Sequence, residues 1–280
     1  MALTRSAAMQ DAVLAWYGKN GRDLPWRRTH DPYAILVSEV MLQQTQVARV
    51  VPRYLDWLDR WPTVEALAAA SPAEVIRAWS GLGYNRRAVN LHRCAQAVAA
   101  RGGFPAEPEE LRKLPGIGPY TAAAVACFAF GAQIAAPDTN ALRVLERAFP
   151  GQDVPVPPGR AYEWNQALFD LGREICIART PRCAVCPLAA GCPSRGRTYA
   201  PLRRQSRFEG SFRQRRARLL REIAAAGRLP EAGCDAEALV SLVRDGLAEV
   251  AGGEARLPGQ TSLATSSASP SSDGSSASGA

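Results

Sequence analysis

Apolar residues recur every three to four positions through most of the first 200 residues. Ala34-Ile35-Leu36-Val37 runs into Val40 and Met41, Val50, Tyr54, Leu55 and Leu58 follow, and Val64, Leu67, Val75 and Ile76 continue the series. That period turns one face of a helix inward. Helix starts are marked by Ser71-Pro72-x-Glu74, with Ser71 as N-cap and Pro72 in the first turn, and by Pro108 before Glu109 and Glu110. Gly102-Gly103, Pro115-Gly116 and Pro150-Gly151 cut the pattern into short helices. No strong strand series interrupts it, so the predicted core is all-α.

After Arg197 the texture changes. Residues 203–218 are rich in arginine, helical stretches follow near 211–225 and 236–245, and a hairpin is expected to turn at Gly252-Gly253. From Leu263 to Ala280 the chain is almost only Ser, Ala, Gly and Thr, a composition that buries too little apolar surface to order itself, so this tail is expected to be disordered. The expected organisation is a two-lobed core over 1–199, a small basic module over 200–262 and the tail over 263–280.

Composition narrows the function classes. The 280 residues are 47% hydrophobic, enough for two lobes and an appendage. No run of about 18 apolar residues occurs and the start does not read as a signal peptide, so no membrane is expected and the compartment is expected to be the cytoplasm. A formal charge of +8 favours a polyanionic partner. Nearly all of the positive charge is arginine, for Lys19 and Lys113 are the only lysines.

Cys176, Cys183, Cys186 and Cys192 lie in one arginine-flanked segment, with six, two and five residues between them. Four thiolates so close can wrap one inorganic centre, either Zn²⁺ or an iron–sulfur cluster. Zinc sites usually join two close pairs, and only Cys183 and Cys186 form such a pair here, so the spacing favours [4Fe–4S]. Pro181, Pro187 and Pro193 predict a loop around it, and Cys94, Cys127 and Cys234 read as small hydrophobes. Upstream, Pro115-Gly116-Ile117-Gly118 joins helices expected at 109–113 and 119–130, with Gly116 and Gly118 permitting a tight turn. Such a turn bares backbone N–H groups that bind phosphate, although a packing corner has the same pattern.

These features together resemble the endonuclease III superfamily of helix–hairpin–helix DNA glycosylases, and within it the MutY branch of A/G-specific adenine glycosylases. The resemblance covers about residues 10 to 200. It is carried by Pro25-Trp26-Arg27, Pro32-Tyr33, the block from Ser38 to Val47, Gly81-Leu82-Gly83-Tyr84, Leu114 to Thr121, Asp138-Thr139-Asn140 and the cysteine loop. It implies a six-helix lobe over 27–125 with the hairpin 109–130 at its end, and a cluster lobe of 1–26 with 126–199. It further implies a monomer acting on nucleoid DNA.

An N-glycosidic bond to adenine breaks when the base is protonated and the cationic sugar is stabilised, which calls for two carboxyl groups of different proton affinity. Glu39, amid Val37, Val40 and Met41, is the expected acid, and Asp138, at a predicted helix start, the expected carboxylate. The resemblance implies that double-stranded DNA carrying adenine opposite 8-oxoguanine or guanine is the substrate, with adenine flipped into a pocket. Tyr120, Asn140, Trp26, Arg27 and Gln166 would line that pocket, while Gln44, Thr45, Leu82 and Tyr84 would engage the opposite strand.

Bifunctional relatives on oxidised pyrimidines carry a Schiff-base lysine where this chain has Tyr120, so a monofunctional enzyme is expected. That bifunctional class and a catalytically silent iron–sulfur DNA-binding protein are the alternatives. Three departures stand out. Asn85 occupies a position where many adenine glycosylases have tyrosine, and the stretch from Arg147 to Trp164 is short. Residues 200–262 are too few for the Nudix-like domain of better-known members, and suggest a winged-helix-like module whose arginines contact phosphates.

Overall fold

The computed structural model describes residues 2–200 and 206–260, without the side chains of 2–5. The serine- and alanine-rich tail therefore lies outside the described residues. Within them the chain forms α1 (Ala2–Asn20), α2 (Pro32–Leu42), α3 (Val47–Arg60), α4 (Val64–Ala69), α5 (Pro72–Ala78), α6 (Arg86–Arg101), α7 (Pro108–Leu111) and α8 (Pro119–Phe130). It continues with α9 (Thr139–Ala148), α10 (Ala161–Glu174), α11 (Phe212–Ala226), β1 (Arg228–Pro230), α12 (Ala236–Arg244), β2 (Glu249–Ala251) and β3 (Glu254–Arg256). The caps match the sequence signals: Ser71 accepts from the Glu74 N–H while the Glu74 side chain accepts from the Ser71 N–H, a full capping box.

Three cores organise these elements. The first draws on α2 to α8, with Ile35, Leu36, Met41, Leu67, Trp79 and Leu91 almost fully buried. The second packs α1 against α9, α10 and the cysteine loop through Val13, Val144, Trp164, Leu168 and Leu188. The lobe division expected at 125/126 falls inside α8, an uninterrupted helix whose Val125, Cys127 and Phe128 all face the first core. The first core continues past this helix to take in Ala136 and Ala161.

The third core belongs to the C-terminal module. Leu219, Ile223, Leu239, Leu242 and Leu257 close on one another and on Ala73 and Ile76 of α5, so the module is seated on the first lobe. Its antiparallel sheet runs β1-β3-β2, with Ala255 opposite both Leu229 and Val250 and the turn at Gly252-Gly253. Its arginines are largely engaged: Arg215 pairs with Asp235 and Glu237, Arg216 with Asp245, and Arg218 with Glu222. Among the described residues no helix is long and apolar enough to cross a membrane.

Candidate active site

Glu39 is carried by the most deeply packed helix of the first lobe. Asp31 caps α2 by accepting from the N–H groups of Tyr33 and Ala34, Pro32 opens it, and every residue from Tyr33 to Met41 is buried. Glu39 keeps 6% of its surface exposed. The Tyr120 hydroxyl, on the first turn of α8, donates to its Oε2 at 2.7 Å. Burial pushes the Glu39 carboxyl up to about 7 from an ordinary 4.5, the Tyr120 hydrogen bond opposes this, the Asp138 charge adds to it and the Arg27 cation subtracts. Burial also holds the Tyr120 phenol well above its ordinary value, so it stays a donor.

Asp138 comes from the other lobe, as the N-cap of α9. One carboxylate oxygen accepts from the Ala141 N–H at 2.7 Å and the other from Asn140 Nδ2 at 2.8 Å. Asn140 Oδ1 in turn accepts from Arg143 at 3.0 Å, and Arg143 also donates to the carbonyls of Gly172 at 2.6 Å and Cys176 at 2.8 Å. This contact needs a glycine on α10, for a Cβ at Gly172 would lie 2.7 Å from the Asn140 carbonyl. Buried Asn165 fixes the approach to Asp138, accepting from Ala136 N–H and donating to the Ile134 and Ala161 carbonyls.

Both carboxyl groups face one cleft of about 930 Å³, also lined by Trp26, Arg27, Tyr120, Asn140, Gln166, Gln44, Thr45, Gly116 and Gly118. All the expected pocket residues are thus brought together. Gly116 has φ +77°, and a Cβ there would fall 2.6 Å from Asn90 Cβ, so the hairpin turn requires a glycine. Tyr84 stands outside this lining and is 48% exposed. Leu82 differs from expectation: it is 3% exposed and packed into the first core, so its side chain is not presented to a DNA strand. An apolar side chain between two flexible glycines tucks under its loop.

Sequence reasoning missed Asp170, Arg22, Arg87 and Arg143. Asp170 is fully buried and accepts from Arg27 at 2.8 and 2.9 Å and from Arg22 Nε at 2.7 Å, which clamps Arg27 at the cleft wall. Arg27 Nε is buried with no protein partner. Nothing in sequence spacing pairs residues that lie 143 and 148 positions apart.

The four cysteines line one small cavity with Val144, Arg147, Ile175 and Leu188. Arg147 donates to Cys176 Sγ at 3.7 Å and to the carbonyls of Ile177 and Ala178 at 2.9 and 2.6 Å, and the Gly196 N–H points at Cys183 Sγ at 3.3 Å. Apart from a short turn at Cys183–Val185 the segment is irregular, and Arg179, Arg182 and Arg195 are exposed on it. Among the described residues no three His, Cys, Asp or Glu side chains converge on a position for one metal ion.

Comparison with known proteins agrees with this architecture. Residues 37–158 match the family described as HhH-GPD superfamily base excision DNA repair protein. The adenine DNA glycosylase of Mycolicibacterium smegmatis is 46% identical over 231 residues, covering 74% of this chain and 78% of that one. The human adenine DNA glycosylase is 40% identical over 217 residues, covering 68% of this chain and 40% of its own. Among solved structures, a thermostable thymine-DNA glycosylase superposes with a TM-score of 0.64 at 29% identity, over 69% of this chain and 97% of that one. Endonuclease III in a non-covalent DNA complex superposes with a TM-score of 0.58 at 24% identity, over 66% and 92%, and shares the fold. The chain belongs to the HhH-GPD superfamily of base excision DNA repair proteins, in its adenine DNA glycosylase branch, and removes adenine from DNA.

Proposed function

We propose that the enzyme hydrolyses the N-glycosidic bond of adenine mispaired with 8-oxoguanine or guanine in duplex DNA, as a monofunctional glycosylase working as a monomer on nucleoid DNA. One observation carries this reading: a carboxyl group that holds its proton to about 7 shares a cleft with a helix-capping carboxylate from the other lobe. In this scheme Glu39 gives its proton to N7 of the extruded adenine. The C1′–N9 bond then breaks with both electrons leaving on the base, and the oxocarbenium ion faces the Asp138 charge. Water adds to C1′, and its proton returns Glu39 to the acid form. Trp26, Arg27 and Gln166 contact the base, Tyr120 and Asn140 orient the two acids, and Gly116 and Gly118 hold phosphate. Gln44, Thr45 and Tyr84 engage the opposite strand.

The lysines favour hydrolysis over lyase chemistry. Lys113 is exposed and paired with Glu110, Lys19 lies at the end of α1, and neither lines the cleft.

We further propose that Cys176, Cys183, Cys186 and Cys192 hold a [4Fe–4S] cluster. All four line one cavity, and N–H donors directed at two of the sulfurs suit thiolate ligation. When bound, the cluster supplies four iron–thiolate links that cross-brace the loop carrying Arg179, Arg182 and Arg195.

The test is incubation with duplexes carrying adenine opposite 8-oxoguanine, adenine opposite guanine, or thymine glycol, with and without alkali. Adenine release from the first two only, with strand breaks appearing only after alkali, is expected. Glu39→Gln and Asp138→Asn should each lower single-turnover release by about 10³-fold. Strand cleavage without alkali, together with a borohydride-trapped adduct, overturns the monofunctional reading.

A further inference from the structure

Arg87, in the first turn of α6, ties together two segments distant in sequence. Its Nη1 donates to the carbonyls of Val40 at 2.7 Å, Met41 at 3.0 Å and Gln43 at 2.8 Å, at the C-terminal end of the Glu39 helix. Its Nη2 donates to Thr45 Oγ1 at 3.2 Å and to the carbonyls of Leu82 at 3.3 Å and Gly83 at 3.0 Å, and its Nε to the Tyr84 carbonyl at 3.4 Å. The guanidinium also lies 5.2 Å from the Trp79 ring centre and 5.6 Å from that of Tyr84. No carboxylate among the described residues pairs with it, and burial pushes its proton affinity down to about 10. The acceptors are neutral groups of two loops, together with the negative end of the α2 dipole. A half-buried cation spent on carbonyls organises backbone more than it adds Coulombic stability.

What it organises is strained. Among the described residues, Gln44 (φ 54°) and Tyr84 (φ 48°) are the non-glycine residues in the left-handed region. The acceptors of Arg87 bracket both: Gln43 and Thr45 flank Gln44, while Gly83 and Tyr84 itself hold the second turn. Left-handed backbone at such residues persists only where surroundings over-determine it, and it concentrates at functional sites. Both side chains are exposed, one offering an amide that both donates and accepts, the other an aromatic face.

We propose that Arg87 is a positioning residue that fuses the Gln44 and Tyr84 turns into one rigid reader of the base opposite adenine and locks that reader to the helix bearing Glu39. The inference rests on the mispair reading above. Val40 and Met41, whose carbonyls Arg87 holds, directly follow Glu39, so seating the reader on the opposite base sets the placement of the acid.

The experiment measures single-turnover adenine release by the full chain on two duplexes. One carries adenine opposite 8-oxoguanine, the other adenine opposite a tetrahydrofuran abasic analogue, which leaves the reader no base. Arg87→Met is expected to lose about 30-fold on the first duplex and under about 3-fold on the second. In a Tyr84→Ala background the Arg87→Met loss on the first duplex should shrink to under about 3-fold. Arg87→Lys should fall between, because one ammonium cannot serve both turns. Equal losses on the two duplexes, or losses that simply multiply with Tyr84→Ala, overturn the inference while leaving adenine removal intact. A wild-type chain inactive on both duplexes overturns the mispair reading and this inference with it. If Arg87→Met melts below the assay temperature, Arg87→Lys decides by the same two criteria.

Discussion

Glu39 and Asp138 enter one cleft from lobes that are held together in different ways. The Glu39 helix is embedded: Ile35, Leu36, Val37 and Met41 expose 2% or less of their surface, and each such side chain contributes about 1.5–3 kcal/mol through burial. The Asp138 side relies instead on directed bonds. Arg143 donates to the Cys176 carbonyl and to Asn140, Asn140 donates to the carboxylate, and the second core beneath this chain is smaller. An acid that must keep a proton benefits from apolar surroundings, and a carboxylate that must keep its charge benefits from N–H donors. On the proposed mechanism the two groups have opposite electrostatic tasks, and the two lobes differ accordingly.

The most damaging way to probe that contrast is at the cysteine loop. If the proposed cluster is held there, Cys186→Ser is expected to cost more than about 4 kcal/mol, since loss of a metal site removes binding energy that is also folding energy. Hydrogen exchange should show the loss in α9, α10 and the cysteine segment, with α2 to α8 still protected. A colourless, folded and fully active variant, or equal loss in both lobes, counts against it.

Glu39→Gln probes the opposite lobe with the opposite sign. A carboxyl whose folded value is raised from 4.5 to about 7 imposes no penalty below pH 4.5, a growing one between 4.5 and 7, and a full one above. The full penalty is on the order of 3 kcal/mol, so Glu39→Gln should be more stable than wild type by up to that amount at pH 8 and by little at pH 4.5. Urea melts at the two pH values measure this, and a gap that does not change with pH refutes it. The same ionisation should make wild-type kcat/KM fall as pH rises through about 7.

The mildest probe is Arg143→Leu, which cuts the donor chain while leaving both acids in place. It leaves the Gly172 and Cys176 carbonyls without this donor, so a cost of about 1–3 kcal/mol and roughly tenfold slower adenine release are expected. The midpoint near pH 7, which belongs to Glu39 in the other lobe, should stay where it is. A shifted midpoint would show that the lobes are not separable in this way.

Much of this arrangement was legible in the sequence because its signals are local. The Ser71 capping box, the helix starting after Asp138, the helices near 211–225 and 236–245 and the turn at Gly252-Gly253 are set by neighbours within a few residues. Burial of Glu39 also followed from its apolar neighbours. The arginine network was not legible, because Arg27, Arg87 and Arg143 bond to carbonyls or to a carboxylate 29 to 143 residues away, and backbone acceptors leave no trace in side-chain identity. Leu82 was misjudged for a related reason. A motif gives a residue's loop, and only packing determines which way its side chain turns.

Asp170 illustrates what such hidden partners do for an enzyme's working range. It does not line the cleft, yet it neutralises Arg27, whose positive charge opposes protonation of Glu39. Exchange of Asp170 for an uncharged residue would strengthen that opposition and move the useful window toward more acidic conditions. On the proposed mechanism, the pH range of the acid is thereby set partly from behind the pocket wall, by a residue that does not itself enter the cleft.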